Sequence, residues 1–549
     1  MNKIKINVND QEIEFENGIQ LEAIADKFQE EDGPLIVAAK VNNALRELTY
    51  RVEKDSKIEF IDLKSLDGVR IYQRSLTFVM LRAAMEIFED IRITVEHSLN
   101  KGLYFEYSCD NELSDLDIKK LKSKMYEIIE ADELITKTQI SKDEARETFE
   151  RFHMEPKVQL LKYREYDYIS IYTLGWMRNY FYGYMVPSTK YLKIFDIRKY
   201  GAGIILMHPT KFSPNALPDY IEQPKLATIY KESKRWGKIL DISYVANLND
   251  SISKNEHGKL ILVSEALHEK KVAQIADIIF ESKKRLVLIA GPSSSGKTTF
   301  ANRLLTQLTV NGLKPVTIST DDYFVNRENT PIDENGDFDF ESIEAVNVDL
   351  FNENLSDLLA GKKVDMPTFN FKTGQREYNG RTLQITEDQP IIIEGIHGLN
   401  EVLTSKIDKK DKFKIYISAL TQINIDDHNR VPTTDTRLIR RIVRDSKYRG
   451  HTAETTIGLW PSVRRGEEKN IFPYQEGADI MFNSALVYEL SVLKKHAEPL
   501  LNEISEDKPS YSEAKRLLKF LNYFTSIDED DYVPYTSILK EFIGKSAFE

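Results

Sequence analysis

The sequence predicts a multidomain chain in which a β-rich unit and an α+β unit precede a module built on a parallel α/β sheet. Three observations predict it. The chain has 549 residues, room for about three to five domains at about 100–200 residues each. Near the N-terminus apolar residues alternate with period two, whereas from Arg285 onward the pattern becomes strand, loop and helix in repetition. A loop bracketed by glycines, Gly291 and Gly296, stands between an apolar strand and a helix where that repetition begins.

Residues 1–63 carry the β-rich unit. The alternating runs Lys3–Val8 and Glu12–Phe15 flank Asn9-Asp10 and predict a hairpin. A helix is predicted over Leu21–Phe28, and further strands over Ile36–Val41 and Lys57–Ile61. The unit has 8 Lys and Arg against 14 Asp and Glu, which opposes direct contact with RNA. Residues 70–225 read as the α+β unit, with a helix over Leu76–Phe88 and strands over Leu103–Tyr107 and Ile169–Tyr172. Its dense aromatics from Trp176 to Tyr191 read as core, and Trp176, Trp236 and Trp460 as core or interface residues. Residues 226–280 read as a connector with a polar surface loop, Ser251–Gly258, and a final helix, Ser264–Ser282. Residues 281–500 form the α/β module, and 501–549 a charged C-terminal tail with a helical stretch at Ser512–Tyr523.

Composition excludes several classes. Apolar residues make 41 % and charged residues 30 % of the chain, so it buries a core rather than staying disordered. A net charge of −12 disfavours nucleic acid as the default partner. The single cysteine, Cys109, rules out an internal disulfide and any multi-cysteine zinc site, and fits a reducing, cytoplasmic compartment. No segment has signal-peptide character, and no apolar run is long enough to span a membrane.

The strongest chemical signal is Gly291-Pro292-Ser293-Ser294-Ser295-Gly296-Lys297-Thr298, followed by Thr299. It matches the phosphate-loop pattern at each fixed position, between the strand Leu286–Ala290 and a helix predicted over Thr298–Leu308. The glycines let the main chain curl so that its N–H groups face phosphate oxygens, where the helix N-terminus adds partial positive charge. Lys297 supplies a point charge for the terminal phosphates of ATP, and the Thr298 hydroxyl a ligand for Mg²⁺. Two strands, Val316–Ser319 and Pro390–Ile393, lead to Asp321-Asp322 and to Glu394. Carboxylates at such strand ends can hold Mg²⁺ or take the proton of an attacking hydroxyl.

Residues 430–465 contain eight arginines. Arg437, Arg440, Arg441 and Arg444 follow i, i+3, i+4, i+7 and share one helix face. That face is either a solvated surface paired with Asp435 and Asp445 or a lid that closes over ATP, with Gly450 after Arg449 as helix end or hinge.

The ordered set GPSSSGKTT, ISTDDYF, DFDFES, MPTFNF, IIIEGIHGL and DTRLIRRIVRDSKYRG makes residues 285–490 resemble the phosphoribulokinase / uridine kinase family of P-loop kinases. The resemblance implies a phosphotransferase using ATP and Mg²⁺ on a small-molecule acceptor, and often a homo-oligomer. It implies Asp321 as catalytic base, Glu394 with Thr298 at the metal, and Arg441, Arg444 and Arg449 as lid arginines touching ATP or the transferring phosphate. Tyr323, Phe369 and Phe371 would lie at the acceptor pocket. His397, Asp337 and Asp339 stay open between ordinary structural positions and acceptor contacts. Departures concern the acceptor: Phe369 and Asn370 replace a Tyr and an Asp, Gly374 stands where the base-reading His would be, and His451 replaces a lid arginine.

The first 225 residues resemble the N-terminal part of threonyl-tRNA synthetases, with RSLTFVMLRAA, GLYFEY and MVPSTKYLKIFDI carrying the similarity. This implies a ubiquitin-like (TGS) β-grasp unit over 1–63 and an editing-like domain over 70–225. The metal-type positions of the latter hold Arg74, Phe78, Phe181 and Met185, which cannot bind zinc. The leading expectation is a kinase of a nucleoside 5′-hydroxyl. An ATP-regulated RNA- or tRNA-binding factor is the alternative from another class, and a kinase of a sugar phosphate or other metabolite a third.

Overall fold

The fold is that of a computed structural model describing residues 3–109, 111–332, 336, 338–370 and 372–548. Phe371 and Asp337 lie outside the described residues.

The N-terminal hairpin forms as Lys3–Val8 against Gln11–Glu16, turning through Asn9 and Asp10 at positive φ. Its first strand also pairs in parallel with Ser56–Asp62, which continues to Ile36–Val41 and Ala44–Glu47 in a five-stranded sheet. The helix is short, Leu21–Ala25. It buries Leu21, Ile24 and Ala25 on the sheet, and Asp26–Phe28 leave the helix as a turn.

The second unit opens with a helix longer than its periodicity predicts, Leu66–Ile87, capped by the Ser65 hydroxyl accepting from the Gly68 N–H. Asp115–Glu130 packs on this helix and on Asp196–Tyr200, which joins Gly203–Met207, Gly102–Ser108 and Arg92–Leu99 in an antiparallel sheet. A three-stranded sheet, Ile135–Ser141, Tyr168–Leu174 and Met177–Asn179, completes the unit. Arg74, Phe78, Phe181 and Met185 do converge here. The Phe78 and Phe181 rings lie 5.1 Å apart, and Arg74 donates to the Tyr184 carbonyl at 2.5 Å. Trp176 is a correction: it stands half exposed, its indole N–H donating to Glu86 at 2.9 Å.

Residues 226–280, expected as a connector ending in a helix, are helical over most of their length. Pro224–Leu240, Val245–Ser253 and His257–Glu281 are three helices, and the expected loop over 251–258 is mostly helical. The last packs on the helix after the phosphate loop, where Glu269 accepts from Arg303 at 2.7 Å. The parallel sheet runs in the order Val316–Ser319, Ile391–Glu394, Leu286–Ala290, Lys412–Ser418 and Ile480–Asn483. Its three central strands are buried on both faces: Leu286–Ala290 is a continuous apolar run, while Lys412–Ser418 buries Lys412 and Lys414 by pairing them with Glu401. The C-terminal segment is likewise no free tail: Ile527, Ile538, Leu539 and Phe542 are buried in the core. Among the described residues no helix is long and apolar enough to cross a membrane.

Candidate active site

Three neighbouring parallel strands deliver the chemistry to one sheet edge. Ile289 stands beside Glu394, and Glu394 beside Ser319, so the phosphate loop, Glu394 and the Asp321 turn leave the sheet at the same C-terminal end. The shape of the loop depends on its glycines. A side chain at Gly291 would overlap the Ile417 carbonyl, and Gly296 adopts φ +81 directly under the Ile538 side chain. Ser294 also takes a left-handed conformation, φ 58.

The residues present fit a bound nucleotide with its metal. The Thr298 hydroxyl donates to Glu394 Oε1 at 2.9 Å, placing a hydroxyl and a carboxylate together, a donor set suited to Mg²⁺. Glu394 Oε2 and the Ser294 and Ser295 hydroxyls are buried with no hydrogen-bond partner among the described residues. Burial lowers the Lys297 ammonium, opposed by Glu394, Glu541 and Glu341. Desolvation raises Asp321 from its ordinary value, which Lys297 opposes and Asp322 reinforces. Desolvation likewise raises Glu394.

The arginine helix, Thr433–Tyr448, divides its work. Arg437 and Arg440 are fully buried struts. Arg437 donates from Nε to the Ser293 carbonyl at 2.9 Å and pairs with Glu467; Arg440 donates to the Ser294 carbonyl at 3.3 Å and pairs with Glu489. The solvated-face alternative therefore fails for these two. Arg441 donates to the Ser293 hydroxyl at 2.7 Å. Arg441, Arg444 and Arg449 gather around buried Asp445, at 3.1, 2.7 and 3.6 Å. Arg444 also acts electrostatically on Lys297, and Arg449 on Asp321. Asp435 pairs elsewhere, with Arg70 and Arg516.

Tyr323 is a correction to the expected acceptor contacts. Its ring is fully buried against Phe351, 4.8 Å away, and its hydroxyl accepts from Asn354 at 3.1 Å, because the turn that presents Asp321 sends the next side chains inward. Phe369 is buried beside the Phe324 ring, 5.6 Å away. Asn370 is spent on the hairpin turn, its Oδ1 accepting from the Lys372 N–H at 3.1 Å. Gly374, at φ +72, would drive a side chain to 2.8 Å from Arg327. Asp339 faces Lys469 at 3.6 Å, and burial pushes His397 down to about 4, which keeps it neutral.

Four contributors escaped the sequence reading. Glu467 accepts the Ser293 N–H at 2.9 Å, and its i+3 spacing from Arg464 was the only local hint. Glu541, from the C-terminal helix Lys540–Ile543, accepts the Thr299 N–H at 3.2 Å and its hydroxyl at 2.8 Å. Ile538 covers Gly296. Glu341 is pushed up to about 7 by burial and by Glu467, against Lys297 and Arg441.

Two of these give direct tests. Gly296→Ala forces a side chain into the left-handed region, costing roughly 1–2 kcal/mol, and displaces Ile538. Limited proteolysis is expected to cut residues 534–548 faster in the variant. Glu341 has a folded pKa of about 7 against an ordinary 4.5, so its contribution to stability is fully present below 4.5 and is lost as pH rises through 7. Glu341→Gln removes that term. Denaturant midpoints at about pH 5 and about pH 8 are expected to fall less with pH in the variant than in the parent.

The model described as Phosphoribulokinase / Uridine kinase family matches residues 286–491. A uridine kinase of Staphylococcus aureus is 31 % identical over 198 residues, covering 36 % of this chain and 86 % of that protein. The chain belongs to the phosphoribulokinase / uridine kinase family. This family module carries every site residue assembled above except Glu541 and Ile538, which lie beyond the matched residues. The N-terminal region is similar to threonine–tRNA ligases. That of Symbiobacterium thermophilum is 30 % identical over 162 residues, 29 % of this chain and 25 % of the ligase. That of Ehrlichia canis is 28 % identical over 257 residues, 46 % of this chain and 38 % of the ligase. The chain thus spans a quarter to two-fifths of the length of these ligases.

Proposed function

We propose that the protein transfers the γ-phosphoryl group of ATP to a hydroxyl of a small acceptor, a nucleoside 5′-hydroxyl by preference. The observation that carries this reading is the arrival of the phosphate loop, the Thr298–Glu394 pair and Asp321 at one sheet edge. Loop residues 291–299 would cradle the phosphates. Asp321 takes the acceptor proton as that oxygen bonds to the γ-phosphorus and the bond to the bridging oxygen breaks, releasing ADP. Lys297, Arg444 and Arg449 stabilise charge on the moving group, and Arg441 steadies Ser293. Thr298 and Glu394 would hold Mg²⁺, which when bound neutralises phosphate charge.

A second acceptor class is favoured by Asn370 and Gly374, whose side-chain options are consumed by their own turn and by Arg327. In the N-terminal half, the five-stranded sheet with its short helix supports a β-grasp unit, and the Arg74–Phe78–Phe181–Met185 cluster supports an editing-like domain without its metal. ATP turnover over a panel of nucleosides and sugar phosphates, read by product mass, tests the proposal. A phosphorylated nucleoside is expected; turnover of sugar phosphates alone would favour the second class, and no transfer to any hydroxyl would overturn both.

A further inference from the structure

A cavity of about 1450 Å³ lies where the N-terminal units, the segment before the arginine helix and the C-terminal helix Tyr511–Leu521 meet. Its charge runs against that of the chain. Thirteen lysines and arginines line it against five carboxylates, in a protein of net charge −12. Ten tyrosines share the lining.

The cations are not all neutralised from within. Arg74, Arg164 and Lys519 make no ion pair with a carboxylate among the described residues, and the buried Nε of Arg164 has no hydrogen-bond partner there. Burial, with Lys137, Arg164 and Arg74 as like charges, lowers the Lys519 ammonium. Lys519 and Arg164 in turn outweigh burial to hold the Tyr180 hydroxyl below its ordinary range. Converging cations without counter-charge are costly unless an anion joins them.

We propose that this cavity binds a mononucleotide bearing two or more phosphates, its phosphates among Arg74, Arg164 and Lys519 and its base against the tyrosines. Guanidinium groups suit phosphate, and aromatic faces suit a base. The surroundings favour a short anion over a long one, since residues 1–63, which contribute to the wall, carry 14 acidic against 8 basic residues. The cavity also has a route to the kinase site. Arg516 and Arg70 line it while holding Asp435, at 2.6 and 3.1 Å, in the first turn of the helix whose Arg437 supports Ser293.

The test is calorimetric titration of full-length protein with ATP, GTP, CTP and UTP. It is done in a Lys297→Ala background, which weakens the phosphate loop's hold on a triphosphate and slows phosphoryl transfer, so that the cavity substitutions report on the second site. At least one nucleotide is expected to bind with one equivalent, in competition with inorganic triphosphate. Adding Arg164→Glu and Lys519→Glu is expected to weaken it by about tenfold or more. Lys519→Gln, checked by thermal unfolding, serves if the double reversal does not fold. Binding of none of the four, or binding indifferent to the cavity substitutions, overturns the proposal. So does cavity-dependent binding of a short single-stranded RNA without any mononucleotide.

Discussion

Asp321→Asn is expected to lower kcat by about 10²–10⁴-fold, the range a positioned general base supplies, while ATP binding stays close to the parent's. The side chain leaves a tight turn whose N–H is held by the Ser319 hydroxyl at 3.2 Å, and the amide is isosteric, so the backbone has no reason to move. What changes is basicity. Desolvation raises the Asp321 carboxyl, which makes it a better proton acceptor, while Lys297 and Arg449 favour its ionised form. The amide can neither accept the proton nor balance those cations. Steady-state kinetics with nucleotide affinity measured separately checks this; a kcat within a few-fold of the parent's contradicts the assignment.

The largest loss of stability is expected from Arg440→Ala. Arg440 is fully buried and donates from Nε to Glu489 Oε2 at 2.8 Å, from Nη2 to the Ser484 carbonyl at 2.9 Å and from Nη1 to the Ser294 carbonyl at 3.3 Å. Its guanidinium also lies 5.0 Å from the centre of the Phe542 ring. Removing it strands the Glu489 carboxylate, which burial already pushes upward. Breaking one side of a buried pair costs about 3–5 kcal/mol. The phosphate loop loses a strut in the same step, so hydrogen exchange over 291–298 is expected to quicken along with the fall in denaturant midpoint. Pairing the change with Glu489→Gln should restore part of the loss, because the orphaned charge is then gone.

Much of the site was legible because it is local. The strand, loop and helix around Gly291 and Gly296 need only short-range patterning, and Asp321 and Glu394 follow apolar strands whose ends are visible in the sequence. The helical spacing of Arg437, Arg440, Arg441 and Arg444 was legible too. Which of them face the site was not, since that depends on Glu467 and Glu489 arriving from other helices. Glu541 and Ile538 come from some 240 residues downstream of the loop, and no periodicity encodes that meeting. Residues 501–549 read as a charged tail, yet Ile538 from that segment covers Gly296. The helix Pro224–Leu240 was obscured by its polar outer face, while Leu226, Ile229 and Trp236 form its buried stripe.

The most direct measurement is a crystal structure with Mg²⁺, a non-hydrolysable ATP analogue and the acceptor selected by turnover. The account predicts the triphosphate along residues 291–299, the metal bound by Thr298 and Glu394, and the acceptor hydroxyl within about 3.2 Å of the Asp321 carboxylate. A nucleotide lying away from that loop, or an acceptor hydroxyl out of reach of Asp321, would contradict it.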